Sequence, residues 1–576
     1  MQGPSLPPLA AAPASRVLLL ALASRLVVLG AMLLADWSFA DLDSSARLQG
    51  YPCAGASSSG VAADGQRPTH KPPLGVWDTV YFARVARCGY ETDKINAFFP
   101  GLPAAMRAGG AALAGLAALL GAPRPALEAA YAAAGLALNV AAFCLGALCL
   151  HRLSLRVLAG SSTASSSRAS RQGAGTAPAP GGGRRRSARL SSLGAGAADG
   201  SGMPGGTEQV EQQEQRGSQQ PHQGRLPRRS SKEQQQQQQQ GECIADLALL
   251  FFCCNPASVF YSAAYSEALF AAATWAGLLL LPRRHWAGVA ALAAASAMRS
   301  NGILGMWFPL HKALAAAAAH SKLPLREAGR AALSCAIILA PYVAMQAGAY
   351  LAHCGASAAA PPPPWCSARL PSVYAFIQKE YWDVGWLRFY QGPRRLPMVL
   401  MSVAVALLSL AGIWAYLSAD WQRALTLGLF CRGGRQLPRW LGRLERALGK
   451  RCLSKAAWLR AAGARLAAST GIASRQPKAQ QRRQQPSMLA TVFQPLADAG
   501  PEAAPVIYHW ALMTAVALLA MHVNVATRFL SACPPLYWAA GAVAARGGTP
   551  ARLLWLWCFA YIVLGCILFP NFYPWT

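Results

Sequence analysis

Charge is scarce in this 576-residue sequence: Asp, Glu, Lys and Arg make up 13%, against 54% hydrophobic residues. Acidic side chains are scarcer still, 23 beside 53 Lys and Arg. So little charge over so much apolar surface argues against an ordinary soluble domain. Also missing are a CxxC pair, a Cys/His cluster of zinc spacing, a Walker loop and a GxSxG elbow. Their absence removes the usual signatures of structural zinc, nucleotide hydrolysis and α/β-hydrolase chemistry. No internal repeat is visible, so an inverted-repeat transporter finds no support.

What is present is a series of apolar segments. About 18 such residues suffice to cross a ~30 Å hydrocarbon core. Residues 17–35, 126–150, 286–309, 328–351, 397–417, 506–521 and 553–569 qualify or come close. The stretch 244–281 is long enough for two spans, whereas 111–121 is too short on its own. Backbone polar groups in lipid must be satisfied within the segment, so these read as helices. The expected fold is an all-α polytopic membrane protein with roughly eight to ten transmembrane helices. The first segment is longer than a signal peptide's apolar core and is followed by further spans, so it reads as a retained anchor with a cytosolic N-terminus.

The formal net charge of +30 suggests nucleic acid at first sight. Its placement argues otherwise, because the basic residues gather in two polar insertions, 161–241 and 420–505. The first holds Arg184-Arg185-Arg186, Arg228-Arg229 and a glutamine run at 234–240 among Gly, Ser and Pro. Such composition buries too little apolar surface to offset its ordering entropy, so disorder is expected over 161–241. No aromatic stacking residues interleave the charge, and no nucleic-acid partner is expected. The positive-inside tendency places both insertions in the cytosol, although counting 111–121 and 126–150 as two crossings would put the first on the side of Asp78. The chain thus divides into an N-terminal membrane region (1–160), the first insertion (161–241), a central membrane region (242–419), the second insertion (420–505) and C-terminal helices (506–576).

Two further polar stretches, 36–106 and 353–396, are aromatic and carry carboxylates instead. They read as structured loops facing the other compartment, and Cys53, Cys88, Cys354 and Cys366 fall within them, where disulfides can form. Trp77-Asp78-Thr79-Val80-Tyr81-Phe82 opens an amphipathic helix expected at the bilayer surface, with Trp77, Tyr81 and Val85 at helical spacing. Asp78 either caps this helix or serves as a base. Asp36, Asp41 and Asp43 follow the first span, and Asp43 can complete a polar site. Glu267 lies inside an apolar segment, where a carboxylate points to function or to a buried hydrogen-bonded network. Tyr261 and Tyr265, four apart, are expected on one helix face beside it. Arg299, with Asn301 in Arg299-Ser300-Asn301-Gly302, suits a phosphate or a snorkelling position. Gln378, Tyr381 and Trp382 form another polar–aromatic helix. His522 and Arg528 flank Asn524 and Thr527 at a membrane boundary.

In order and spacing these segments resemble the second GPI mannosyltransferase family, the enzymes that add the second mannose to the glycosylphosphatidylinositol precursor. The matching residues are Trp77-Asp78 with Tyr81-Phe82, Gly89-Tyr90, Ala97-Phe98-Phe99-Pro100, Asn255-Pro256-Ala257 through Tyr265-Ser266-Glu267-Ala268-Leu269-Phe270, and Arg299-Ser300-Asn301-Gly302. They continue with Ile377-Gln378, Tyr381-Trp382-Asp383-Val384-Gly385, His522-Val523, Thr527-Arg528-Phe529 and Asn571-Phe572 before Pro574-Trp575-Thr576. The resemblance implies a GT-C fold in the endoplasmic reticulum membrane with a lumenal active site. It implies dolichyl-phosphate mannose as donor, a GPI precursor lipid as acceptor, an α-1,6 linkage, and Asp78 as catalytic residue with Asp43 next. The substrate-binding residues would be Trp77, Tyr81, Tyr265, Glu267, Arg299, Asn301, Gln378, Tyr381, Trp382, His522 and Arg528. A monophosphate leaving group carries less charge than a diphosphate, so no metal and no cofactor is expected. Some members work with a small accessory membrane subunit. The alternatives are another dolichyl-phosphate-sugar transferase of this fold, or a polyprenyl or sugar-lipid transporter or scramblase.

Overall fold

The apolar run behind the first segment folds as helix α1 (Ala14–Ser38) in a computed structural model of the chain. The structure describes residues 14–42, 53, 74–123, 126–159, 231–320, 324–355, 362–391, 395–430 and 488–575. Among these residues there is no strand, and six helices are long and apolar enough to cross a membrane, with three shorter apolar ones beside them. The protein is an all-α polytopic membrane protein.

After α1 come α2 (Asp78–Cys88), α3 (Gly101–Leu119), α4 (Leu127–Ser154), α5 (Ser231–Cys253), α6 (Ser258–Ser262), α7 (Glu267–Leu280), α8 (His285–Met298), α9 (Trp307–His320) and α10 (Leu325–Cys354). The order closes with α11 (Val373–Glu380), α12 (Leu396–Ala419), α13 (Trp421–Leu425), α14 (Met488–Val492), α15 (Gln494–Ala497), α16 (Ala504–Leu519), α17 (Ala526–Leu530), α18 (Pro534–Arg546) and α19 (Gly548–Leu568).

Several expected boundaries move. The segment 111–121 is the second half of α3, so the aromatic loop ends at residue 100 rather than 106. Helix α5 begins at Ser231, inside the stretch expected to be disordered: its apolar end is buried, and glutamine propagates a helix well once such an anchor exists. The second insertion also has folded edges. Asp420 caps α13 through Gln422 N and Arg423 N, and Phe493 and Leu496 are buried. The expected span 286–309 is two pieces, α8 and α9, joined by a 3-10 turn (Ser300–Met306) beginning after Arg299.

The stretch 244–281 breaks twice, at Asn255-Pro256 and at residues 263–266, leaving α5, α6 and α7. Proline removes a backbone donor and disfavours helix in the residue before it. Freed carbonyls at membrane depth need internal partners, and Arg25 of α1 supplies them. Its guanidinium donates to Cys253 O (2.8 Å), Ser258 O (2.9 Å), Ser262 Oγ (3.0 Å) and Ser258 Oγ (3.2 Å), and lies 4.0 Å from the Phe143 ring centroid. At the second break Asn139 of α4 donates to Ala263 O and to Tyr265 O (2.8 Å). Tyr261 and Tyr265 therefore do not share a helix face: the Tyr261 phenol reaches Ser531 Oγ at 3.1 Å, and the Tyr265 phenol meets the start of α2.

Asn139 lies level with this second break, and Leu158 lies 19 residues further on, roughly 30 Å at 1.5 Å per residue. At that far end Gly241 packs against the Leu158 backbone, Arg156 pairs with Glu502 (2.8 Å), and Arg423 donates to Ala497 O (2.9 Å). The chain leaves and re-enters the described structure near this end at both insertions.

Candidate active site

Opposite that end, the turn before α2, the breaks flanking α7 and α8, and the segment 521–529 converge on a cavity of about 400 Å³. Asp78 is the first residue of α2 and is not its cap. Trp77 holds the cap position with a left-handed φ of 52° and no capping side-chain bond, a backbone state that needs support from its surroundings. That support comes from Phe569 O, which accepts Trp77 Nε1–H at 3.1 Å, and from Phe572, 6.0 Å from the Trp77 ring. Helix α2 buries six of its eleven residues, Val85 of the expected apolar face among them.

Asp78 N–H donates to Tyr265 Oη at 3.0 Å, and Asp78 Oδ2 accepts from Arg528 Nη2 at 3.0 Å. Arg528 also donates through Nε to Glu267, and Arg299 donates to the same Glu267 oxygen. Glu267 is 3% exposed and stands at the N-terminus of α7, where a carboxylate is favoured. Two cations and two anions thus form one chain: Asp78, Arg528, Glu267, Arg299. The Arg528 guanidinium is flanked by Phe260 and Tyr265, each 4.8 Å from it. Burial alone would lower the Arg528 pKa, but Glu267 and Asp78 outweigh it and hold the group above its ordinary value.

The remaining polar lining is neutral. Gln378 of α11, Trp382, Tyr374, His522 and Asn524 belong to it, and Ser300 Oγ donates to Tyr374 Oη at 2.6 Å. A strap holds Trp382 and His522 together: Gly385 N–H donates to Ala520 O (3.1 Å), Leu387 N–H to Leu519 O (2.7 Å), and Asp383 pairs with Arg388 and Arg395. Burial lowers the His522 pKa, with the nearby Trp382 backbone opposing that shift. Two disulfides, Cys53–Cys88 and Cys354–Cys366, join the four cysteines of the aromatic loops. The first fixes the end of α2 and the second ties α10 to the turn before α11.

Of the expected site residues, Asp78, Arg299, Gln378, Trp382, His522 and Arg528 line the cavity. Glu267 and Tyr265 stand behind it and hold the arginines and Asp78. Trp77 is a support, and Tyr81 stacks on the lining Phe98 with centroids 4.8 Å apart. Asn301 sits in the 3-10 turn away from the lining, and Tyr381 lies outside it with its hydroxyl 3.5 Å from Asp93. Asp43 lies outside the described residues. Asn524 and Tyr374 line the cavity but were not among the expected binding residues; for Asn524 the signal was its place four residues before Arg528, on the same side of a helical turn.

A family model described as Mannosyltransferase (PIG-V) matches residues 14–170 and 230–576, skipping most of the first insertion. The GPI alpha-1,6-mannosyltransferase 2 of Mus musculus is 34% identical over 210 residues, 32% of this chain and 42% of that relative. The Homo sapiens protein of the same name is 32% identical over 209 residues, with the same coverage. The GPI mannosyltransferase 2 of Drosophila melanogaster is 26% identical over 369 residues, 57% of this chain and 68% of its own length. The matched stretch thus spans less than half the length of the two mammalian relatives. No solved structure matches the chain.

Proposed function

The chain belongs to the Mannosyltransferase (PIG-V) family, and on that premise we propose that it transfers the second mannose, in α-1,6 linkage, from dolichyl-phosphate mannose to the GPI precursor in the endoplasmic reticulum. The observation that carries this reading is Asp78, Arg299 and Arg528 lining one cavity, with Glu267 holding both arginines from behind. The phosphate of the donor takes the guanidiniums of Arg299 and Arg528, which suit its oxygens in fork geometry. As Arg528 turns to the phosphate, Asp78 is released from its ion pair. Asp78 then accepts the proton of the mannose 6-hydroxyl while that oxygen bonds to the anomeric carbon from the face opposite the leaving phosphate. The anomeric C–O bond breaks, and dolichyl phosphate leaves with its charge held by the arginines.

A lumenal site accords with two features. Both disulfides lie in the loops 36–106 and 353–396 that supply cavity-lining residues, and disulfides persist in oxidising compartments. The basic insertions depart about one hydrocarbon thickness away, as the positive-inside tendency favours. The test uses membranes from cells lacking this activity, re-expressing the chain and supplied with labelled dolichyl-phosphate mannose and a one-mannose GPI acceptor. A two-mannose product that disappears with Asp78→Asn supports the reading. No product from the intact chain refutes it.

A further inference from the structure

A second cavity, of about 340 Å³, lies at the end of the molecule where both insertions depart, and shares no lining residue with the first. Four helices build it. Leu153 of α4, Leu278 of α7, Phe308 of α9 and Val506 of α16 give it apolar walls. Its charged and titratable groups are Arg156, His311, Lys312 and Glu502. Arg156 pairs with Glu502 at 2.8 Å, and His311 Nε2 lies 2.9 Å from Leu427 O. Lys312 has no comparable partner: its Nζ reaches Leu281 O only at 3.5 Å, and it makes no ion pair among the described residues. The acid whose field it feels, Glu327, is paired with Arg330 at 3.3 Å. Arg283 and Arg284 follow the lining Pro282 and are exposed, so further positive charge lies beside the cavity.

We propose that this cavity binds an anionic phospholipid of the adjacent leaflet, with the lipid phosphate on Lys312 and an acyl chain between the helices. Charge selects the headgroup. Among Arg156, Lys312 and Glu502 one positive charge remains, and a phosphodiester supplies the single negative charge that balances it. An ammonium offers three N–H donors and takes a phosphate as a point charge. The apolar walls select the rest of the ligand. A free phosphate gains nothing from them, whereas an acyl chain laid against them removes apolar surface from water. Placement agrees, because basic pockets between transmembrane helices on the cytosolic side suit anionic headgroups.

Binding is read with neither sugar donor nor acceptor present, so the test is independent of the transfer reaction. The full chain, purified in uncharged detergent, is mixed with phosphatidylglycerol or with phosphatidylcholine of the same acyl chains. Retained lipid is counted by native mass spectrometry. One phosphatidylglycerol should be held in preference to phosphatidylcholine. A cation near the surface strengthens anionic-lipid binding roughly fivefold, so Lys312→Met should weaken retention by about that factor and Lys312→Arg should restore it. Ala315→Leu, at another lining position, adds bulk to the apolar space while keeping both cations, and should also weaken retention. Replacing Arg184, Arg185 and Arg186 by Gln should not. Thermal midpoints without lipid show which variants are folded. Retention unchanged by both Lys312→Met and Ala315→Leu would overturn the proposal, as would equal retention of the two lipids. Inorganic phosphate that displaces the lipid at equal concentration would show a site for a free anion and overturn the lipid assignment.

Discussion

Glu267→Gln tests the arrangement most directly, because one carboxylate there bonds two cations. In the native chain Asp78 and Glu267 balance Arg299 and Arg528; the variant leaves two positive charges against one negative. Breaking a buried ion pair costs about 3–5 kcal/mol. The Arg299 and Arg528 side chains keep 20% and 19% of their exposure, so the lower end applies, about 3 kcal/mol or roughly a 150-fold shift in the folding equilibrium. A ligand phosphate placed between the same arginines restores the missing anion. Dolichyl phosphate should therefore raise the thermal midpoint of Glu267→Gln more than that of the wild type. The assay is thermal denaturation of purified protein in detergent with dolichyl phosphate titrated in. A variant as stable as the wild type, or equal ligand-induced shifts in both proteins, would refute the reasoning.

Asp78→Asn should lower mannosyl transfer by about 10²–10⁴-fold with abundance unchanged, read by labelled product and by immunoblot. Arg25→Met should leave the Cys253 and Ser258 carbonyls unpaired at a helix break and sharply reduce folded protein, with Arg25→Lys recovering part; equal abundance of all three proteins would contradict this. Gly302→Ala should destabilise the turn after Arg299 by about 1–3 kcal/mol, since a Cβ there would sit 2.5 Å from Ser296 Cα; an unchanged thermal midpoint and activity would argue against it. Cys53, Cys88, Cys354 and Cys366 should resist a maleimide mass tag until reduced, and Cys53→Ser should expose Cys88 to the tag; free labelling of all four in unreduced protein would contradict the pairing.

Much of the site was legible because its chemistry is carried by residues unusual for their surroundings. Asp78, Gln378 and Trp382 stand in the two aromatic loops, Arg299, His522 and Arg528 near the ends of apolar segments, and all six reach one cavity. What sequence did not separate was front from back. Glu267 and Tyr265 looked like cavity walls and are supports, because one break in backbone direction at residues 263–266 decides which way they face. The break itself was masked by an unbroken apolar run, although Asn255-Pro256 announces the first interruption. Arg25 was passed over as part of a hydrophobic anchor. An arginine inside such a segment needs acceptors, and the only acceptors available in quantity at that depth are carbonyls released where another helix stops. The helical glutamines after Ser231 show the reverse error: composition described the isolated peptide, whereas attachment to a packed helix decided the outcome.

The seat of Trp77 is built from Phe569, 492 positions downstream, while Asn571 accepts from Leu42 N–H and donates to Ala35 O. During synthesis, α1 to α4 therefore wait with the turn at Trp77 unsupported until the final helix has been made, and a chain terminated before that point lacks both of these contacts.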